Sequence, residues 1–200
     1  MVEVSSMHFY LNWTKQRIDE MDATLASLES EASRMNADSK AKADQIIADL
    51  KKRRDAFQAR AKAGLEAGEA AMQAAKAQLE SQWPPFEAQV KAYFETTARK
   101  IEQQQAAFRD VAAAQAKAWR AAADSLHGEA TKVAAARRAE VEAAVEQMKA
   151  NAAETEARLQ KLRQAGGESW AAMSAALADS RKAFDRASQT AWDAVKRAQP

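Results

Sequence analysis

The stretch Ser81-Gln82-Trp83-Pro84-Pro85-Phe86 governs the predicted fold, because it holds the only prolines before the C-terminal residue. Proline has no backbone N–H, and it restricts the residue before it away from the α region. Two prolines in tandem therefore predict that a helix arriving from the N-terminal side ends near Gln82. Pro85 suits the first turn of a following helix. We expect a hinge at Trp83, Pro84 and Pro85.

Composition on both sides of this stretch predicts helix and little else. The chain of 200 residues contains 52 alanines but only five glycines and three prolines. Alanine and the abundant Glu, Lys, Arg, Gln and Leu are strong helix formers. Apolar side chains larger than alanine are too few for a conventional globular core, but they suffice for narrow stripes along helices. The sequence therefore predicts an all-α protein.

The predicted architecture is one elongated domain over residues 1–200. We expect a helix over 5–82, a turn over 82–85, a helix over 85–165, a turn over 166–168 and a helix over 168–198. Gly166 and Gly167 mark the second turn, since glycine commonly ends helices. The two matched helices would form a long antiparallel, coiled-coil-like hairpin, and the short third helix would make a three-helix bundle at its open end. An end-to-end rod is the alternative.

Two periodicities support long helices. The first third of the chain has a 4,3 spacing typical of a coiled coil, with Met7, Leu11, Thr14, Ile18, Met21, Leu25, Leu28, Ala32 and Met35 in register. After the polar stretch Asn36–Ser39 the period becomes eleven residues, which keeps an apolar stripe nearly straight. This series comprises Ile46, Phe57, Gly68, Leu79 and Val90.

Aromatic side chains on the predicted stalk are the candidate interface. A two-helix stalk buries little apolar surface, and helical stability in proteins comes mostly from tertiary packing. We therefore expect self-association or partner binding through Phe57, Phe86, Phe94, Phe108 and Trp119. The alternative is that these side chains only pack within the chain.

Charge is balanced, with 30 basic and 28 acidic residues and a formal net charge of +2. Such a balance creates no broad field for steering a nucleic acid, so nucleic acid is not an expected partner. The only concentrated basic patch is Lys51-Lys52-Arg53-Arg54, which could contact phosphate groups. Four consecutive residues point around the whole helix, however, and charge runs on helices are usually solvated faces.

Motifs for catalysis or cofactor binding are not found in the sequence. It contains no cysteine, no glycine-rich phosphate loop, no zinc-binding HExxH and no nucleophile elbow. Asp124 and His127 lie three residues apart and could form half of a metal site, but a solvent-exposed histidine is the simpler interpretation. We therefore predict no catalytic, cofactor or metal site. The chain start lacks the features of a secretory signal, and we expect a cytoplasmic protein.

Residues 40–126 carry a family resemblance that rests on alanine content, the 11-residue period and the lack of cysteine. In these respects the segment resembles the amphipathic helices of the apolipoprotein and phasin type. Residues 59–70 are also similar to late-embryogenesis-abundant proteins. The resemblance implies helices that lie on a lipid or hydrophobic granule surface, and it transfers no individual functional residue.

Two functional hypotheses follow from these observations. The first is a non-enzymatic scaffold that forms a homodimer or higher homo-oligomer and contacts other proteins. The alternative is a peripheral coat on a lipid or granule surface, with the same apolar stripe facing the particle. A bar-shaped dimer that senses membrane curvature fits the predicted helix lengths, but the balanced charge does not favour it.

Overall fold

A computed structural model describes residues 3–97, 101–130, 135–165 and 170–197. Over these ranges the chain forms six α-helices and no strand, so the all-α prediction is confirmed. The helices are α1 (Glu3–Ala32), α2 (Ala37–Glu66), α3 (Glu69–Thr97), α4 (Ile101–Ala130), α5 (Ala135–Ala165) and α6 (Trp170–Arg197).

The chain divides into two compact units, whereas the sequence predicted one elongated domain. Unit A consists of Met1–Gln16 and Gln115–Pro200, and unit B consists of Arg17–Ala114. Because the boundaries fall inside α1 and α4, both helices contribute residues to each unit.

The predicted turn over 82–85 is wrong, because α3 runs through both prolines without ending. Pro84 and Pro85 are exposed, whereas their neighbours Trp83 and Phe86 are buried with ring centroids 5.4 Å apart. Carbonyls that lose their helical partners on the exposed side can be hydrated, which lowers the cost of proline there. Burial of the two aromatic rings then stabilises a continuous helix through the prolines. Tertiary packing therefore outweighs the local signal.

The predicted helix over 5–82 is instead interrupted twice. The first break follows α1, where the side chain of Asn36 accepts a hydrogen bond from the backbone N–H of Ser39 at 3.0 Å and caps α2. An asparagine at this position satisfies one of the donors left free at a helix start. The polar stretch at which the apolar period changes is thus a helix boundary.

The second break lies at Gly68, in the middle of the 11-residue series. Gly68 has a φ of 91°, which side-chain-bearing residues rarely adopt. Its carbonyl accepts a hydrogen bond from the N–H of Met72 at 2.9 Å, so the same residue that ends one helix begins the next. The α2–α3 connection therefore needs only Ala67 and Gly68.

Alanine substitutions at Gly68 and Gly128 should have opposite effects on stability. Neither glycine has a heavy atom within 4 Å of the place where a Cβ would lie, so steric clash is absent at both. We expect Gly68→Ala to destabilise by about 1–2 kcal/mol because of its positive φ. Gly128→Ala, inside α4, should stabilise by up to about 1 kcal/mol. Urea unfolding followed by circular dichroism measures both, and equal effects of the two changes would contradict this turn.

Replacing the tandem prolines tests whether α3 is continuous. Pro84→Ala or Pro85→Ala restores a backbone donor inside a helix, and we expect either change to stabilise by about 1–3 kcal/mol. A hinge at this position would give the opposite sign, since the substitution would loosen a turn. Thermal unfolding of the two variants beside the parent protein decides between a helix and a hinge.

Unit B contains the C-terminal part of α1, all of α2 and α3, and the N-terminal part of α4. Its first three helical segments run up, down and up. The hydroxyl of Tyr93 in α3 donates to the carbonyl of Leu28 in α1 at 3.0 Å, and the guanidinium of Arg17 lies 4.8 Å from the Trp83 ring centroid. Both contacts join residues 65 or 66 positions apart, so α1 and α3 are parallel. Between them α2 runs in the opposite direction and presents its buried face, which includes Leu50, to the shared core.

Unit A has a similar arrangement in the second half of the chain. Arg120 of α4 pairs with Glu156 of α5 at 2.6 Å, and Asp124 of α4 lies 3.6 Å from Lys149 of α5, so these two helices are antiparallel. The ring of Trp119 in α4 stacks on the ring of Phe184 in α6, with the ring centroids 5.1 Å apart. The two glycines predicted to turn the chain between α5 and α6 lie outside the described residues.

The predicted heptad stripe fails at the N-terminal part of α1. Met7 is 38% exposed and Leu11 is 40% exposed, whereas Phe9, Tyr10 and Trp13 are buried. Aromatic side chains bury more apolar area than methionine or leucine, so the helix turns its aromatic side inward. The regular 4,3 spacing overlooked these rings because they lie outside its register.

Candidate functional site

The five aromatic residues proposed as an interface are interior residues of the chain itself. Phe57, Phe86, Phe94, Phe108 and Trp119 are each at most 6% exposed. The first four belong to unit B and Trp119 belongs to unit A. These side chains therefore pack within the chain, as the alternative interpretation predicted. They do not lie on a surface open to partners.

The four residues of the basic patch do not point in one direction. Each contacts a different acceptor, and in chain order these acceptors are Glu29, Asp49, Gln89 and Asp22, at 2.5, 3.1, 2.6 and 2.7 Å. Two of the acceptors lie on α1, one on α2 and one on α3. Exposed pairs of this kind contribute about 0–1 kcal/mol each. Three of the four contacts join α2 to another helix, and carboxylates compensate the charges of Lys51, Lys52 and Arg54.

The electrostatic effect of this compensation appears at Asp49. The hydrogen bond that Lys52 donates to its carboxylate holds the pKa of Asp49 below the ordinary value, and a hydrogen bond from Gln45 acts in the same direction. The ammonium of Lys52 is thus already engaged by a neighbouring carboxylate.

The candidate half-site for a metal is an exposed helix surface. His127 and Asp124 are both exposed, and Asp124 lies 3.6 Å from the ammonium of Lys149 on α5. Across the part of the chain that the structure describes, no three His, Cys, Asp or Glu side chains are grouped closely enough to hold a metal ion.

A buried charge pair in unit B is the most unusual feature of the structure. The guanidinium of Arg17 lies 3.5 Å from the carboxylate of Glu20, and the side chains are only 5% and 0% exposed. Arg17 also lies over the face of Trp83, where a cation is attracted by the ring quadrupole. A buried ion pair is weak evidence for added stability, because the desolvation of both charges offsets their attraction.

Unit A contains a related contact between an arginine and a tryptophan, but there the two residue types come from the opposite helices. Arg181 of α6 is buried, and its guanidinium lies 5.5 Å from the ring centroid of Trp119 in α4. In unit B the first helix supplies the arginine, whereas in unit A it is the third helix of the unit that does so. Each unit therefore has one buried arginine packed on one buried tryptophan.

Neither the buried Arg17 with Glu20 and Trp83 nor the buried Arg181 with Trp119 was predicted from the sequence. Arg17 and Glu20 have the spacing of an ordinary ion pair on a helix surface, and such pairs are usually solvated. Their burial depends on which helices pack around them, and the sequence offers no direct signal of that. The nearest hint is the position of Arg17 one helical turn after Trp13.

The chain's two tyrosines should titrate only when the protein unfolds. Burial raises the pKa of Tyr10, and burial, helped by the charges of Glu31 and Asp44, raises the pKa of Tyr93. Because the folded state disfavours the phenolate, stability should be unaffected below about pH 10 and should fall as the pH rises above it. Phenolate absorbance and loss of helical circular dichroism should therefore appear together. Phenolate formation in a fully helical protein would contradict the burial of both rings.

Comparison of the chain with protein-family models, with curated proteins and with solved structures finds no match. The resemblance to apolipoprotein-type and phasin-type helices accordingly stays one of composition and period. Within the described ranges no helix has both the length and the apolar character that crossing a membrane requires.

Proposed function

We propose that the chain is a non-enzymatic structural protein that acts as a folded helical scaffold, associating with itself and with other proteins. The observation that carries this proposal is the burial of the aromatic stripe. Phe57, Phe86 and Trp119 are each at most 1% exposed in cores that the chain forms by itself. A protein whose helices already cover their apolar faces is suited to keep its shape in plain buffer.

Polar contacts between helices add support for a folded scaffold. Lys51 and Arg54 of α2 reach acidic residues of α1, and Arg120 of α4 reaches Glu156 of α5. Each exposed pair is weak, but opposite charges aligned across neighbouring helices favour the native pairing over alternatives. Contacts with other proteins would then use the charged outer faces, since the five aromatic side chains of the predicted interface are inside.

The alternative function as a coat on lipid or granules requires the same side chains to leave the core. An amphipathic helix binds a lipid surface through apolar side chains that become buried in the headgroup region. Here Phe86 and Trp119 would first have to give up their packing within the chain, which costs about 1.5–3 kcal/mol for each large side chain. The closed cores therefore favour the scaffold over the coat.

Circular dichroism and vesicle flotation separate the two functions. A scaffold should melt cooperatively in buffer, with a Tm that rises with protein concentration because association stabilises the folded state. Anionic vesicles should change neither its helicity nor its tryptophan fluorescence. A broad melt that is independent of concentration would contradict the scaffold. Protein that floats with vesicles, with a blue shift of Trp fluorescence, would establish the coat instead.

A further inference from the structure

Helices in the first half of the chain have counterparts in the second half. Buried positions in α1 and α4 match when the two helices are compared at an offset of 98 residues, and buried positions in α2 and α5 match at the same offset. The boundary between the units falls at Arg17 in α1 and at Gln115 in α4, and these positions differ by the same 98. We name residues 3–97 repeat I and residues 101–197 repeat II.

Burial follows the same offset. Three large buried residues of α1 have buried counterparts in α4: Tyr10, Trp13 and Leu28 correspond to Phe108, Val111 and Leu126. Two buried residues of α2 have buried counterparts in α5: Ile47 and Leu50 correspond to Val145 and Met148. The repeats thus share a pattern of burial while differing at most of these positions in residue type.

Packing inside the two units has the same register. In unit B the contact between Arg17 and Trp83 joins positions 66 residues apart, and in unit A the stack of Trp119 on Phe184 joins positions 65 residues apart. Each contact links the first and third helices of one repeat. The first and third helices of the two repeats therefore meet at nearly the same separation along the chain.

Neither repeat completes a unit alone. Unit B combines residues 17–97 of repeat I with residues 101–114 of repeat II, and unit A combines repeat II from residue 115 with residues 3–16 of repeat I. We call the segments 3–16 and 101–114 the arms, and they correspond under the 98-residue offset. Each arm buries large apolar side chains in the unit formed mainly by the other repeat, among them Trp13 and Phe108.

We propose that the protein self-associates through the surfaces on which the two arms pack, and that the partner is a second copy of this chain. A site that accepts the arm of the other repeat makes the same contacts with the same arm of another molecule. Exchange of identical elements is a route to dimers that needs no new interface. This inference rests on the self-association proposed above and specifies how it occurs.

Concentration should decide which arm occupies the site. An arm on the same chain competes at an effective concentration on the order of 1 mM, so dilute protein should close on itself. Exchange between copies should become substantial when chains fold together near that concentration. Two chains that exchange both arms with each other would form a closed dimer. Chains that exchange each arm with a different neighbour would form a longer assembly.

A hydrogen bond marks the place of one arm and provides the test. Asn12 of the arm lies 2.8 Å from Ser125 of α4, measured between their side-chain oxygens, and both belong to unit A. The chain contains no cysteine, so introduced thiols are unambiguous. The variant N12C, carrying a size tag, and the variant S125C are unfolded together, refolded at about 1 mM and treated with a short bismaleimide.

Each chain then carries a single thiol. A product that joins N12C to S125C therefore requires the arm of one molecule to pack in unit A of another molecule. We expect this product at several times the yield obtained with the control pair N12C and Q58C, whose second position is exposed on α2. Refolding at about 1 µM should reduce it strongly. A yield equal to that of the control pair overturns arm exchange.

The offset also predicts a second crosslink that no sequence motif suggests. The counterparts of Asn12 and Ser125 in unit B are Asp110 and Ser27, so S27C and D110C should crosslink like the first pair. A yield at the level of the control overturns the equivalence of the repeats. Sedimentation of the parent protein separates the remaining cases: oligomers without either crosslink overturn arm exchange alone, whereas monomers at every concentration contradict the proposed self-association as well.

Discussion

Trp119→Ala should destabilise the protein by about 3–5 kcal/mol, which is the usual cost of truncating a buried aromatic residue to alanine. The Trp119 side chain is fully buried and stacks on Phe184 at 5.1 Å. Its removal leaves a cavity, and it also takes away the ring over which the buried guanidinium of Arg181 lies. Urea unfolding followed by circular dichroism measures the loss as a lower midpoint.

Two further variants make this result interpretable. Trp119→Phe keeps an aromatic ring for stacking and should cost clearly less than the alanine change. Leu11→Ala also removes a large apolar side chain, but Leu11 is 40% exposed, so its effect should stay within about 0.5 kcal/mol. If Trp119→Ala cost no more than Leu11→Ala, the ring would not lie in the core.

Glu20→Ala is expected to have a comparably large effect, about 3–5 kcal/mol, for an electrostatic reason. The change removes the carboxylate 3.5 Å from Arg17 and leaves a guanidinium that is only 5% exposed. A buried charge that loses a neighbouring carboxylate keeps its desolvation cost with less compensating attraction. The same unfolding experiment measures the loss, which should depend little on salt because buried pairs are weakly screened.

Removing both charges separates a buried pair from an ordinary one. Arg17→Met combined with Glu20→Leu should recover most of the lost stability, since apolar replacements of buried pairs are often neutral or better. Asp44→Ala is the exposed control: it breaks the Lys40–Asp44 pair, whose side chains are about half exposed, and should cost less than about 1 kcal/mol. A double variant as unstable as Glu20→Ala would show that Arg17 and Glu20 do not act as a pair.

Gly68 and the tandem prolines show why local signals ranked the turns incorrectly. A pair of prolines is a strong helix-breaking signal, whereas a glycine inside a helical pattern is only a weak one. In the structure the glycine turns the chain, because the two helices it joins bury Leu50 and Leu79 in the same core. Pro84 and Pro85 lie on an exposed face, where a missing donor costs least.

The candidate site was predictable as a set of residues but not as a location. The aromatic residues were singled out from the sequence, and all five are buried, four of them in unit B and Trp119 in unit A. Spacing along one helix cannot reveal whether a second chain or the same chain covers that face. The buried pair of Arg17 and Glu20 was beyond reach for a similar reason, because burial of a charge depends on its neighbours in space.

By itself the amino-acid sequence determined that the described chain is helical, since alanine-rich composition and scarcity of glycine and proline act residue by residue along the backbone. It also indicated which side chains would share an apolar face, because helical period is a local property. Only the tertiary structure decided where the helices end and which of them pack together to form the two units. Those choices follow from the apolar area buried between segments far apart in sequence, which no local pattern encodes.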